Sequence, residues 1–132
     1  MRLGSLGIGI VVSVLIGSAG PVRAHHSFAA QYDRSKPVTL KGTVTKVEWQ
    51  NPHIYFYVDI RTPDGKTENW AVEGGAPNTL YRNGWRKESL QVGNEVTVEG
   101  SLAKDGSKLA NMRSVVLADG RRVLGGSSGG DR

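Results

Sequence analysis

The residues of this chain best suited to chemistry are its three histidines, His25, His26 and His53. His25 and His26 follow Val22-Arg23-Ala24, and His53 stands in Asn51-Pro52-His53 beside the most aromatic stretch of the sequence. If the chain is cut after Ala24, His25 becomes the first residue. It then offers a free amine and an imidazole nitrogen together, and a metal can be chelated with little further ordering of the backbone. Both are nitrogen donors, which suit copper, and copper stands high in the affinity order of divalent first-row metals. His25 would give two donors and His53 or His26 a third. His26 is the poorest placed, because neighbours on an extended chain point to opposite sides. Zinc accepts the same donors, but nitrogen ligands without a clear carboxylate favour copper. The plain alternative is that His25 and His26 are a polar chain start, while His53 caps a strand and bonds a backbone carbonyl.

A second constellation is aromatic: Trp49, Tyr55, Tyr57, Trp70 and Trp85. Ile54, Phe56, Val58 and Ile60 alternate with Tyr55, Tyr57, Asp59 and Arg61, so Tyr55 and Tyr57 point away from the core. On an outer sheet face such rings can stack on sugars or bases. The competing role is core packing, the usual fate of large aromatics. An enzyme has less support, since neither a Gly-x-Ser-x-Gly motif nor a phosphate loop nor a pair of catalytic carboxylates is present. Glu73, before Gly74-Gly75, reads as a turn residue.

The first 24 residues have the layout of a secretory signal: Arg2, an apolar stretch from Leu6 to Ala19, and small residues before the cut. The stretch is shorter than the ~20 residues a spanning helix needs. The expected location is therefore periplasmic or secreted, with no membrane span after signal removal. A cut after Ala19 instead would move the amine away from His25. The formal charge of the whole chain is +5, and Arg2 and Arg23 leave with the signal, so the remainder is only mildly basic. With no long Lys/Arg block, nucleic acid is not an expected partner. The absence of cysteine excludes disulfides, thiolate ligands and a lipidated cysteine anchor. Any metal must use nitrogen, oxygen or the thioether of Met112.

Beyond a polar N-terminal segment, residues 25–36, the pattern is that of strands. Val38, Leu40, Gly42 and Val44 share a face, and Val47 and Trp49 restart in the opposite phase, predicting a bulge near Thr45-Lys46. Pro63-Asp64-Gly65-Lys66 is a hairpin turn. A strand from about Thr67 to Val72 precedes a short helix over residues 76–83, closed by Gly84. Strands over 94–99, 111–117 and 121–124 follow, and residues 125–132 read as a disordered tail. The expected fold is all-β with one short helix, a small OB-like Greek-key barrel over residues 37–124.

Ala24-His25-His26-Ser27-Phe28, Lys36-Pro37-Val38-Thr39-Leu40-Lys41-Gly42-Thr43-Val44, Trp49-Gln50-Asn51-Pro52-His53, Asn69-Trp70-Ala71-Val72-Glu73-Gly74-Gly75 and Gly84-Trp85 closely resemble an exported bacterial family, domain of unknown function 6152. The resemblance spans nearly all of the chain after the signal. It implies a small exported bacterial domain and no particular activity. In ligand type and terminal position alone, His25 also resembles the histidine brace of exported copper oxygenases and carriers. The functional expectation is an exported ligand-binding domain, with copper at His25 and His53 and no reaction of its own. The alternative is a periplasmic module whose aromatic face holds an oligosaccharide, another small ligand or a protein partner. A copper redox enzyme stands third.

Overall fold

The computed structural model describes residues 28–126, so the expected signal, His25, His26 and residues 127–132 lie outside the described residues. A single helical turn, α1 (Phe28–Gln31), leads into β1 (Tyr32–Glu48), β2 (Tyr55–Arg61) and β3 (Thr67–Glu73). A short helix, α2 (Pro77–Arg82), and a 3-10 turn at Lys87–Ser89 connect to β4 (Glu95–Ala103), β5 (Leu109–Val116) and β6 (Arg122–Leu124). Among these residues no helix is long and apolar enough to cross a membrane.

The sheet runs β3-β2-β1-β4-β5-β6, and β3 also pairs with β5. Every other pairing is antiparallel, whereas β3 and β5 run parallel from Ala71↔Leu109 to Glu73↔Asn111. That pairing joins the two ends of the first five strands into a ring. β1 serves both halves: Gly42 faces Ile60 of β2 on one side and Val96 of β4 on the other. One long strand shared by two sheets, a helix between β3 and β4, and closure of β3 on β5 is the OB arrangement. β6 extends it beyond β5.

β1 can pair twice because it bends. Its register with β2 shifts between Val44 and Lys46, the position where the hydrophobic phase reverses in sequence. Gly42 allows the tight crossing, since a Cβ there would lie 2.1 Å from the Asp59 carbonyl oxygen. β1 starts at Tyr32, inside the stretch expected to be only a polar lead-in. Of its first six residues only Tyr32 is buried, so no apolar alternation marks it.

The inward faces meet in one core that includes Leu40, Val44, Phe56, Val58, Val72, Val98 and Met112. α2 covers one end. Pro77 starts it with a preset φ. It ends at Gly84 (φ 90°), where Trp85 N–H donates to the Leu80 carbonyl at 3.0 Å and Gly84 N–H to that of Tyr81 at 3.2 Å. The reversal turns Trp85 inward, fully buried, with its Nε1 donating to the Leu124 carbonyl at 2.9 Å. Gly125, expected to begin a loose tail, is instead part of the fold: it donates to Arg113 O at 2.7 Å and accepts from Gly75 N–H at 2.9 Å.

A smaller cluster lies on the outer side of β4 and β5, where Phe28, Tyr32 and Ala103 pack with Leu109. It holds down the arm made by α1 and the start of β1. The Lys104 N–H bonds Gln31 O at 2.9 Å, and its Nζ bonds Ala29 O at 2.5 Å.

The main core is assembled from apolar side chains, so thermal unfolding is expected to stay cooperative in excess chelator; a chelator-treated protein without a folded circular dichroism signal would contradict this. Trp85→Ala is expected to cost ~3–5 kcal/mol in denaturant melts, the usual loss for a fully buried large aromatic.

Candidate functional site

Outward-facing positions of β3 are Thr67, Asn69, Ala71 and Glu73, and only the last is deeply buried, at 3 % exposure. Its burial follows from what meets it. Gly74 N–H donates to Ile54 O at 3.0 Å, and Ile54 N–H to Gly75 O at 3.1 Å, locking the end of β3 to the start of β2. The loop before Ile54, which contains the cis peptide Asn51-Pro52, therefore delivers His53 beside Glu73. The His53 Nδ1 lies 2.8 Å from Glu73 Oε1, with the imidazole about one-fifth exposed.

The other oxygen is taken from a different part of the chain. Tyr32, in register with Ala103 on β4, donates its hydroxyl to Glu73 Oε2. Tyr55 stands directly across the β2–β3 pair from Glu73. Asn111, also buried, stands opposite Glu73 on β5. A buried carboxylate is tolerable when donors replace its water, and an imidazole N–H and the Tyr32 phenol supply them. Burial, followed by the charge and hydrogen bond of Glu73, pushes the Tyr55 hydroxyl up to about 12. The same causes drive Tyr32 well above the ordinary tyrosine range.

This arrangement fixes the chemistry of His53. With Nδ1 donating to Glu73, the second ring nitrogen, Nε2, is left to hold a metal or accept a hydrogen bond. Glu73 is not itself an open ligand, because both oxygens are engaged. Among the described residues no three His, Cys, Asp or Glu side chains converge to hold a metal, so His53 contributes one donor to any such site. Met112, the thioether available in principle, is fully buried in the core.

The five aromatic candidates do not share one surface. Tyr55 and Tyr57 lie on the outer face, with Tyr57 hydroxyl 3.3 Å from Glu48 Oε2 and Lys46 Nζ 5.2 Å from its ring centre. Trp70 is half-buried against the core, its Nε1 donating to Glu68 at 3.1 Å. Trp49 sits at the α2 end, edge-on to Tyr81 at 6.2 Å and 6.3 Å from the buried Trp85. Glu73 is the central residue that sequence reading placed in a turn. Its signal was an acidic residue ending the outward alternation of a strand, but its partner Tyr32 is 41 positions away.

The fold holds Tyr32 and Tyr55 as neutral phenols, so their contribution to stability is complete below pH 10 and is lost as pH rises toward and past 12. Denaturant midpoints are expected to fall over this window, and Tyr55→Phe to flatten the fall; an unchanged alkaline profile in that variant would contradict the burial argument.

Comparison with known proteins adds the following. A solved structure of a mitochondrial single-stranded DNA binding protein from S. cerevisiae is similar, with a TM-score of 0.48 and 16% sequence identity, covering 62% of this chain and 93% of that one. The OB assignment itself rests on the strand pairings described above. No curated protein matches the chain. A family model matches residues 12–112, which takes in every element from α1 to β4 and all of the Glu73 cluster, and the chain therefore belongs to the family of unknown function DUF6152.

Proposed function

We propose that this protein is an exported OB-like domain that binds copper through His53 Nε2 together with the amine and imidazole of His25, after removal of residues 1–24. The observation that carries the reading is the 2.8 Å contact between His53 Nδ1 and Glu73 Oε1. Ligating histidines commonly donate their other ring nitrogen to a carboxylate, which sets the tautomer and aims the lone pair. A histidine that only capped a strand would not need this partner.

Chain length supports the second ligand. His25 precedes Phe28 by three residues, roughly 10 Å of extended backbone. The Phe28 ring lies 5.4 Å from that of Tyr32, whose hydroxyl is on the carboxylate that holds His53. The described arm thus begins on the same cluster that holds His53, which supports His25 as the second ligand. Copper is preferred over zinc because the available donors are nitrogen and the nearby carboxylate oxygens are occupied. His26 remains an alternative third donor. When bound, copper would supply a tightly held cation for storage, delivery or sensing, and we assign no reaction to it.

The aromatic-face reading draws less support. Trp85 is in the core, Tyr55 faces Glu73 across the strand pair and Tyr57 bonds Glu48. What remains is Trp49 with its neighbours at the α2 end.

Intact mass of the exported protein is expected to correspond to residues 25–132; recovery of the full-length chain from membranes would overturn the export step. On that processed protein, Cu(II) titration is expected to give tight one-to-one binding. His25→Ala or one extra residue before His25 should abolish it, and His53→Ala should weaken it, each tenfold loss corresponding to ~1.4 kcal/mol. Affinity should fall with pH, because protons compete for the same nitrogens. Equal affinity in all four proteins would exclude the chelate.

A further inference from the structure

The last part of β1 has a strand on one side only. Its pairing with β4 ends at Thr43↔Glu95, and Val44 finishes that side by bonding Asn94 and Gly93. Its pairing with β2 continues to Glu48↔Tyr55. Among the described residues no backbone hydrogen bond reaches residues 45–50 from the other side. A groove of about 560 Å³ lies there, with residues 47–50 as one wall and Lys87, Leu90 and Val92 on the other. Successive residues of a strand point to opposite faces. A groove lined by four consecutive ones therefore runs along the strand edge, where unpaired backbone groups can accept another strand.

The side chains around this edge are unlike those of the rest of the surface. Only three large hydrophobic side chains are well exposed among the described residues, and two of them, Tyr81 at 45 % and Val92 at 66 %, flank Trp49. Arg82, Arg86 and Lys87 stand at the same end, and among the described residues none of them pairs with a carboxylate, whereas most other cations do. Arg86 lies over the Tyr81 ring at 5.3 Å and donates to the Tyr81 and Trp85 carbonyls, which leaves its charge uncancelled. Glu48, the carboxylate on the groove wall, is already held by Lys46 and Tyr57.

We propose that this groove binds an extended acidic segment of a partner protein, which adds to the free edge of β1. Its backbone would pair with residues 45–50, its apolar side chains would cover Trp49 and Val92, and its carboxylates would meet Arg82, Arg86 and Lys87. Strand addition of this kind draws affinity from main-chain hydrogen bonds and specificity from the side chains that alternate beside them. An oligosaccharide has no row of amides to match the edge. A nucleic acid would need open ring faces, and Trp49 is half-buried against Tyr81 and Trp85. The proposal is independent of the copper reading, since it uses neither His53 nor any residue bonded to Glu73.

The test titrates the exported protein, free of metal, with a short peptide alternating glutamate and valine, and follows amide shifts and amide hydrogen exchange. Binding should saturate and should protect amides within residues 45–50. Peptides alternating lysine with valine, or glutamate with serine, should bind at least about tenfold more weakly, because each lacks one of the two complementary features. Val92→Ser should weaken the glutamate-valine peptide by about tenfold, the loss expected for roughly two buried carbon groups. Lys87→Glu should weaken it and flatten its salt dependence. Lys66→Glu, on the exposed β2–β3 turn, should leave it unchanged. Absence of binding, equal affinity for the three peptides, or shift changes centred away from residues 45–50 would overturn the proposal. Protection of these amides before peptide is added would overturn it too. Protection lost on dilution would assign the groove to a second copy of the chain, and protection independent of concentration to a segment of this chain outside residues 28–126.

Discussion

Closure of the barrel depends on three residues of β3, Ala71 to Glu73, running parallel to Leu109 to Asn111 of β5. Without this pairing the sheet would be an open ribbon with two exposed edges, and closing the ring is what removes them. The last residue in the pairing is also the one whose side chain cannot face water. Glu73 sits where β2, β3 and β5 come together on the outer surface, under the arm formed by α1 and the start of β1. The architecture thus places a carboxylate at the junction of four segments, and the surroundings are arranged to satisfy it.

A carboxylate in that position is costly unless each oxygen has strong donors. A phenol and an imidazole provide them, and each comes from a separate segment: Tyr32 from the arm and His53 from the loop before β2. The interaction therefore does more than neutralise a burial penalty. It couples the position of the N-terminal arm to the orientation of His53. An apolar residue at 73 would leave the buried Tyr32 hydroxyl and the His53 imidazole without their partner, so the members of the cluster depend on one another.

Much of the fold was legible because barrel strands alternate and turns carry Asp-Gly or Gly. Ile54, Phe56 and Val58 are fully buried and Tyr55 and Tyr57 face outward, as their period requires. The β1 bulge was written in the phase reversal between Val44 and Val47, and α2 in Pro77 and Gly84. The early start of β1 was not, because its outer residues are polar and only Tyr32 is covered. At the site, His53 was readable as a residue of interest by type and place. Glu73 was not, since its meaning comes from Tyr32 and His53, which reach it only through closure of the ring. The aromatic residues were dense in sequence but are divided in space, because the α2 end and the β2–β3 face point in different directions.

The proposed copper site takes His53 Nε2 and the N-terminal histidine as its ligands. Electron paramagnetic resonance of the processed protein loaded with one equivalent of Cu(II) tests it most directly, because nitrogen ligands split the copper signal in a countable way. The account predicts couplings from three nitrogens in wild type and the loss of one in His53→Ala. A wild-type spectrum without nitrogen coupling, or one that His53→Ala leaves unchanged, would contradict it.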